Sequence, residues 1–211
     1  MAPLAVSLGD PAGVGPELLA EAWARRADEG LPPFFAVGGA TLLQAAAKSR
    51  GIDLPVARIA DPAEAPGVFP QALPVLGELD AGWHPGTPDR EGAALALASL
   101  DAAAQLAFTG KASGIVTGPI AKSRLAELGF THPGQTEFVA EACGIAAEYA
   151  VMMLAGPNLR TVPLTVHCAL AEVPGLVTQD LITAKARIVA AAMARDFGLE
   201  RPRLAIAALN P

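Results

Sequence analysis

Short apolar, β-branched or aromatic runs alternate along the chain with longer Ala-rich stretches of helical period. That alternation is the mark of βαβ units around a mostly parallel sheet, and it predicts an α/β three-layer sandwich. The first strand is expected at Leu4 to Leu8, followed by a Gly/Pro turn and a helix from about Pro16 to Ala27. A strand at Phe34 to Val37, a helix from Thr41 to Ser49 ended by Gly51, and a Pro-rich stretch from Pro55 to Pro74 with one or two short strands come next. The Gly/Pro cluster from Ala81 to Pro88 reads as a loop before a long helix from about Arg90 to Thr109. Gly114 to Val116 is a strand, Thr117-Gly118-Pro119 its exit turn, and Ile120 to Leu128 a helix stopped by Gly129. Beyond Gly134 the pattern changes. A helix over Thr136 to Cys143 precedes strands at Ala150 to Leu154 and Thr161 to Val166 that read as a hairpin around Asn158. A helix from Gln179 to Asp196 and a last strand from Leu204 to Ala208 complete the reading. The switch from crossover to meander divides the chain into a first α/β domain over residues 1–130 and the beginning of a second over 131–211.

Composition narrows the classes of function. With 52% hydrophobic and 17% charged residues in 211, a disordered or polyelectrolyte chain is excluded. Fifteen basic residues against 21 acidic leave a net charge of -6, which repels phosphodiester backbones and anionic membrane surfaces, so no nucleic acid and no membrane partner is expected. No apolar run reaches the roughly 20 residues of a membrane span, and Met1 to Asp10 lacks the basic start of a secretory signal, so a cytoplasmic protein is expected. Cys143 and Cys168 fall in no metal-binding spacing and read as two buried free thiols. The apolar run that reaches Leu209-Asn210-Pro211 without a polar tail gives the chain the look of one cut short.

Four segments carry candidate chemistry. Gly9 to Glu17, GDPAGVGPE, lies between a strand and a helix, where backbone amides can receive a phosphate or carboxylate. It is neither GxGxxG nor a Walker A loop. Gly13 and Gly15 permit positive φ and close approach, and Asp10 can orient a hydroxyl, a metal or the loop itself; a tight turn with Asp10 capping the helix is the plain alternative. The second corner, Thr117 to Lys122, sits at the carboxyl edge of the sheet, where Lys122 can neutralise an anion or simply be a surface lysine. In His132-Pro133-Gly134-Gln135-Thr136-Glu137, a glycine turn delivers polar side chains into a helix start that Thr136 can cap. His167, at the end of an apolar strand, can leave the sheet edge and ligate a metal or be a satisfied, half-buried histidine. His84, beside Trp83 in a loop, carries no functional reading.

Taken in order, GDPAGVGPE at 9–17, TGPIAK at 117–122, PGQTEF at 133–138, the strand ending in His167 and the closing LNP at 209–211 resemble the 4-hydroxythreonine-4-phosphate dehydrogenase family of vitamin B6 biosynthesis. The likeness covers the whole chain. It implies an isocitrate/isopropylmalate dehydrogenase-like fold, incomplete here at the C-terminus. It also implies an NAD-dependent oxidation of 4-phosphooxy-L-threonine at C3 followed by decarboxylation, assisted by a divalent metal (zinc, magnesium or cobalt). Residue by residue, His167 matches a metal ligand, and Gln135 and Thr136 match the pair that touches the substrate. Asp10, Gly13, Gly15 and Lys122 are, on their chemistry, the candidates for a cofactor or phosphate loop, and no catalytic residue is assigned. Gln135 departs from the histidine usual in the family; an amide donates and accepts hydrogen bonds but does not shuttle protons near neutral pH. The resemblance further implies a homodimer with a shared active site, and that the 211-residue form alone does not catalyse. Two other readings stand beside it. One is a paralogue oxidising another phosphorylated four-carbon hydroxy acid, such as a threonate or erythronate phosphate; the other is a non-catalytic binding fragment.

Overall fold

The computed structural model describes residues 2–209, so the closing Asn210-Pro211 of the resemblance lies outside the described residues. The chain divides into two compact units, Met1–Gln135 and Thr136–Pro211.

The first unit is built on β1 (Leu4–Ser7), α1 (Gly15–Ala24), β2 (Phe34–Val37), α2 (Ala40–Ser49), β3 (Val56–Ile59), α3 (Ala65–Val68), β4 (Leu73–Leu76), α4 (Arg90–Phe108), β5 (Ile115–Thr117) and α5 (Lys122–Ala126). Its five strands form one sheet in the order β3-β4-β2-β1-β5, and every neighbouring pair is parallel. The Pro-rich stretch thus supplies both β3 and β4. A parallel sheet is covered on both faces, and its central strand should be apolar throughout. β2 meets this condition with all four residues buried. Phe34 and Ala36 join Leu19, Trp23, Leu42 and Leu43 in one core, while Phe35 and Val37 join Ala5, Ile59 and Ala103 in the other. Strand alternation therefore sorts one four-residue run into two cores, giving three layers.

The helix boundaries follow local chemistry. Asp89 caps α4, its carboxylate accepting the Gly92 N–H at 2.7 Å. α2 has no cap of its own, because Gly39 precedes it in a left-handed conformation and has no side chain to offer. Asp80, from the loop after β4, supplies that cap instead, accepting the N–H groups of Thr41 at 2.8 Å and Leu42 at 3.3 Å. The same carboxylate accepts the N–H of Ala81 at 3.1 Å and lies 3.7 Å from Arg58.

The second unit holds α6 (Gln135–Ala142, whose first residue closes unit one), β6 (Leu154–Ala155), β7 (Arg160–Thr161), α7 (Val173–Leu176) and α8 (Gln179–Phe197). α8 starts at a Thr178 cap and ends at Gly198 in the left-handed conformation, as its sequence predicts. The hairpin is present but shorter than expected, with two antiparallel residue pairs, Leu154 with Thr161 and Ala155 with Arg160. A two-stranded ribbon has no neighbours to extend it, and Pro163 offers no N–H. The expected strand at Leu204 to Ala208 is irregular, and Leu204 and Ile206 are exposed. An apolar run makes a strand only where a partner edge receives its hydrogen bonds, and this run pairs with no strand among the described residues. The reading of two buried thiols is also corrected: Cys143 is exposed and Cys168 half-buried. Among the described residues no helix is long and apolar enough to cross a membrane.

Burial alone would raise the pKa of Asp80, but the hydrogen bonds from Thr41, Leu42 and Ala81 outweigh it and hold the carboxyl below its ordinary value. A depressed carboxyl stabilises the fold above its unfolded pKa of about 3.9, and that contribution disappears as the pH falls through the lower folded value. The unfolding free energy of wild type minus that of Asp80→Asn, from urea titrations, is therefore expected to shrink as the pH drops from about 5 to about 2. A constant difference would show that the charge of Asp80 does not support α2.

Candidate functional site

The first two sequence corners meet because β1 and β5 are parallel neighbours, with Ser7 opposite Thr117. Both strands leave the sheet at its carboxyl edge, where ligands of open α/β sheets bind. Here that edge is drawn together by backbone. Gly118 donates its N–H to the Ser7 carbonyl at 3.0 Å, and Asp10 donates its N–H to the Pro119 carbonyl at 2.7 Å. The approach leaves no space for side chains. A Cβ on Gly118 would stand 2.5 Å from the Leu8 carbonyl oxygen, one on Gly9 would strike the Pro119 carbonyl oxygen, and one on Gly15 the Leu8 carbonyl oxygen.

These contacts settle the geometry of the first corner. The positive φ anticipated for Gly13 and Gly15 is found at Gly9 instead, at +69°. Gly15 is needed for close approach, but to Leu8 of the same chain. Asp10 does not cap α1; that helix follows Val14 without a side-chain cap. Its carboxylate accepts the Ala12 N–H at 2.9 Å, while its carbonyl accepts the Gly13 N–H at 2.9 Å. The amides of Asp10, Ala12 and Gly13 are thus spent inside the fold, and the Ala12 carbonyl takes the Gly86 N–H at 2.8 Å from the loop before α4. Beneath the corner, Ser99 of α4 is fully buried, accepts the Leu8 N–H at 3.1 Å and donates to the Val37 carbonyl at 2.7 Å. One hydroxyl thereby ties the ends of β1 and β2.

The third motif reaches the same place. Gln135 opens α6, and its side-chain Nε2 donates to the Gly118 carbonyl at 2.8 Å. Asp10, Gly118 and Gln135 are therefore joined in one hydrogen-bonded cluster of the first unit. Lys122 is exposed on the first turn of α5. The His132 ring packs edge-on to Phe130, with centroids 5.1 Å apart. Beside the corners, an apolar cavity of about 340 Å³ is lined by Val6, Leu18, Leu19, Phe34, Val116 and Pro119 among others. No charged residue is among those that line it.

Thr136 and His167 belong to the second unit. Thr136 is exposed and is the second residue of α6, not its cap. His167 does not end a strand: it is exposed, in an irregular segment, with φ of +53°, the one non-glycine residue at positive φ among those described. No three His, Cys, Asp or Glu side chains converge to hold a metal among the described residues.

Sequence reasoning missed Ser99, Gly9 and the bond from Gln135 to Gly118. Ser99 was discoverable, being a hydroxyl on the stripe Leu95, Ala96, Ser99, Leu100 and Ala103 that α4 buries. The other two depend on long-range backbone approach, which no local pattern records.

A parallel α/β sheet whose glycine corners interlock at its carboxyl edge defines a class of fold that serves many chemistries. The family model of the pyridoxal phosphate biosynthetic protein PdxA matches residues 31–211, and the chain belongs to that family. It is 58% identical over 209 residues to the 4-hydroxythreonine-4-phosphate dehydrogenase of Erythrobacter litoralis and 49% identical over 212 to that of Zymomonas mobilis. These alignments cover 99% and 100% of this chain and 62% of each relative, so the chain spans less than two thirds of their length. The crystal structure of the 4-hydroxythreonine-4-phosphate dehydrogenase from Klebsiella pneumoniae is similar at a TM-score of 0.86 and 28% identity, over 100% of this chain and 65% of that one.

The interlock carries a stability prediction. Gly118→Ala is expected to cost about 3 kcal/mol or more in urea unfolding, because all three obstructing atoms, the Leu8 carbonyl oxygen and carbon and the Gly9 nitrogen, are backbone. Gly67→Ala in α3, with nothing within 4 Å of the added methyl, serves as the control and is expected to be neutral or slightly stabilising. Equal effects at the two positions would refute the interlock.

Proposed function

We propose that this chain forms the amino-terminal part of an enzyme that oxidises 4-phosphooxy-L-threonine at C3 with NAD and releases carbon dioxide from the product. The observation that carries the reading is agreement along the whole chain with relatives named for 4-hydroxythreonine-4-phosphate dehydrogenase activity. The anchored position of Gln135 beside the two corners supports it.

In this reading Gln135 and Thr136 bind and orient the substrate, the amide by accepting or donating and the hydroxyl likewise. Exposed Lys122 offers a positive charge to an anionic group near the carboxyl edge. His167 offers one imidazole to a divalent cation, but one donor does not make a metal centre, and the described residues alone do not fit a metal. Further ligands have to come from sequence beyond these residues or from a second copy, and a homodimer with a shared site belongs to the proposal. When bound, NAD takes up hydride and the cation polarises the hydroxyl as a Lewis acid. Loss of hydride from C3 and of the hydroxyl proton to solvent leaves a ketone β to the carboxylate, and its carbonyl oxygen receives the electron pair of the broken C–C bond as carbon dioxide leaves.

The test is NADH formation from phosphorylated hydroxythreonine and a divalent metal by protein carrying these residues together with the carboxyl-terminal portion of its relatives. Turnover is expected with that protein and none with the 211-residue chain alone. Failure of the longer protein would overturn the reading. Faster turnover on the analogue lacking the 2-amino group would favour a threonate or erythronate phosphate instead.

A further inference from the structure

A carbonyl oxygen only accepts, so the 2.8 Å bond between the Gln135 side chain and the Gly118 carbonyl is made by Nε2 and by no other atom of the amide. That fixes which branch of the side chain faces the corner. Gly118 is also a stiff partner. Its own N–H is held by the Ser7 carbonyl at 3.0 Å, and the Leu8 peptide crowds its Cα. The acceptor therefore cannot swing to suit a rotated amide. Oε1, on the opposite branch, accepts no hydrogen bond from the described residues.

We infer that Gln135 is a positioning residue: the Gly118 carbonyl locks its amide with the donor inward, so that it presents to the substrate an acceptor that does not titrate. Its catalytic consequence rests on the dehydrogenase reading above. The lock fixes the first residue of α6, and it gives the site a hydrogen-bond polarity independent of pH at this point. A histidine here can donate one ring N–H to the same carbonyl, but its outward nitrogen becomes a donor once the ring is protonated. A glutamate meets the Gly118 carbonyl with a proton only in its acid form; as a carboxylate it sets acceptor against acceptor. The other titratable groups of these segments are His132 and Glu137 beside Gln135, and Asp10, Glu17 and Lys122 on the two corners. They are the same in every variant, so the ratio reports the group at 135 together with its coupling to them.

Two measurements decide the matter. In the isotopically labelled 211-residue chain, a coupling through the hydrogen bond between Gln135 Nε2 and the Gly118 carbonyl carbon is expected, with slowed exchange of that amide. No coupling and free exchange would overturn the lock. In the longer protein, kcat/KM of Gln135→His relative to wild type is expected to fall about tenfold per pH unit below about 6.5. Gln135→Glu is expected to lose about tenfold or more at neutral pH, with the amount of folded protein checked by its unfolding midpoint. A pH-independent ratio for Gln135→His, or wild-type turnover by Gln135→Glu, would overturn the positioning role. Should wild type itself oxidise none of the phosphorylated hydroxy acids, the dehydrogenase reading fails, while coupling and exchange still decide the placement of Gln135.

Discussion

The carboxyl edge of the first sheet depends on one constraint, the contact of two peptide backbones at Leu8-Gly9 and Gly118-Pro119. Parallel pairing of β1 with β5 brings these segments level, and the bonds from Gly118 to Ser7 and from Asp10 to Pro119 close the gap. Everything nearby is arranged around that contact. The Asp10 loop folds on itself, α1 begins without a capping side chain, and Ser99 fills the space below with a hydroxyl that satisfies Leu8 and Val37 together. Leaving the Leu8 N–H or the Val37 carbonyl buried and unpaired would cost about 1–3 kcal/mol each, whereas the buried Ser7 hydroxyl nearby has no hydrogen-bond partner among the described residues.

The glycine-rich first corner also has a structural part to play. A glycine loop before a helix invites the idea of a phosphate cradle, because free amides at a helix start attract anions. Here three of the amides serve the protein, and the glycines admit protein backbone. The corner behaves as a rigid floor, and the Gln135 amide is anchored on it through the Gly118 carbonyl.

Much of the first unit was legible from its residues. β2 reads as a central strand because Phe34 to Val37 has no polar face, and α4 reads from its Asp89 start to Gly110 because cap, period and stop agree. The Pro-rich stretch was legible as holding one or two short strands, but neither their number nor their bounds could be fixed, since Pro74 lies inside β4. The second unit was less legible for a physical reason. Its apolar segments, such as Leu204 to Ala208, have strand-like composition, yet pairing depends on a partner edge that composition does not encode. At the site, the residue types were readable and their mutual arrangement was not: Gln135 and Gly118 are 17 positions apart, and only the fold makes them neighbours.

His167 has a consequence of its own. A residue with a Cβ at φ of +53° gives up backbone free energy, on the order of 1 kcal/mol, that glycine would recover. Neutral drift should therefore favour losing the ring at this position. Wherever an imidazole persists on such an uncomfortable peptide, selection is opposing a steady thermodynamic pull toward smaller side chains.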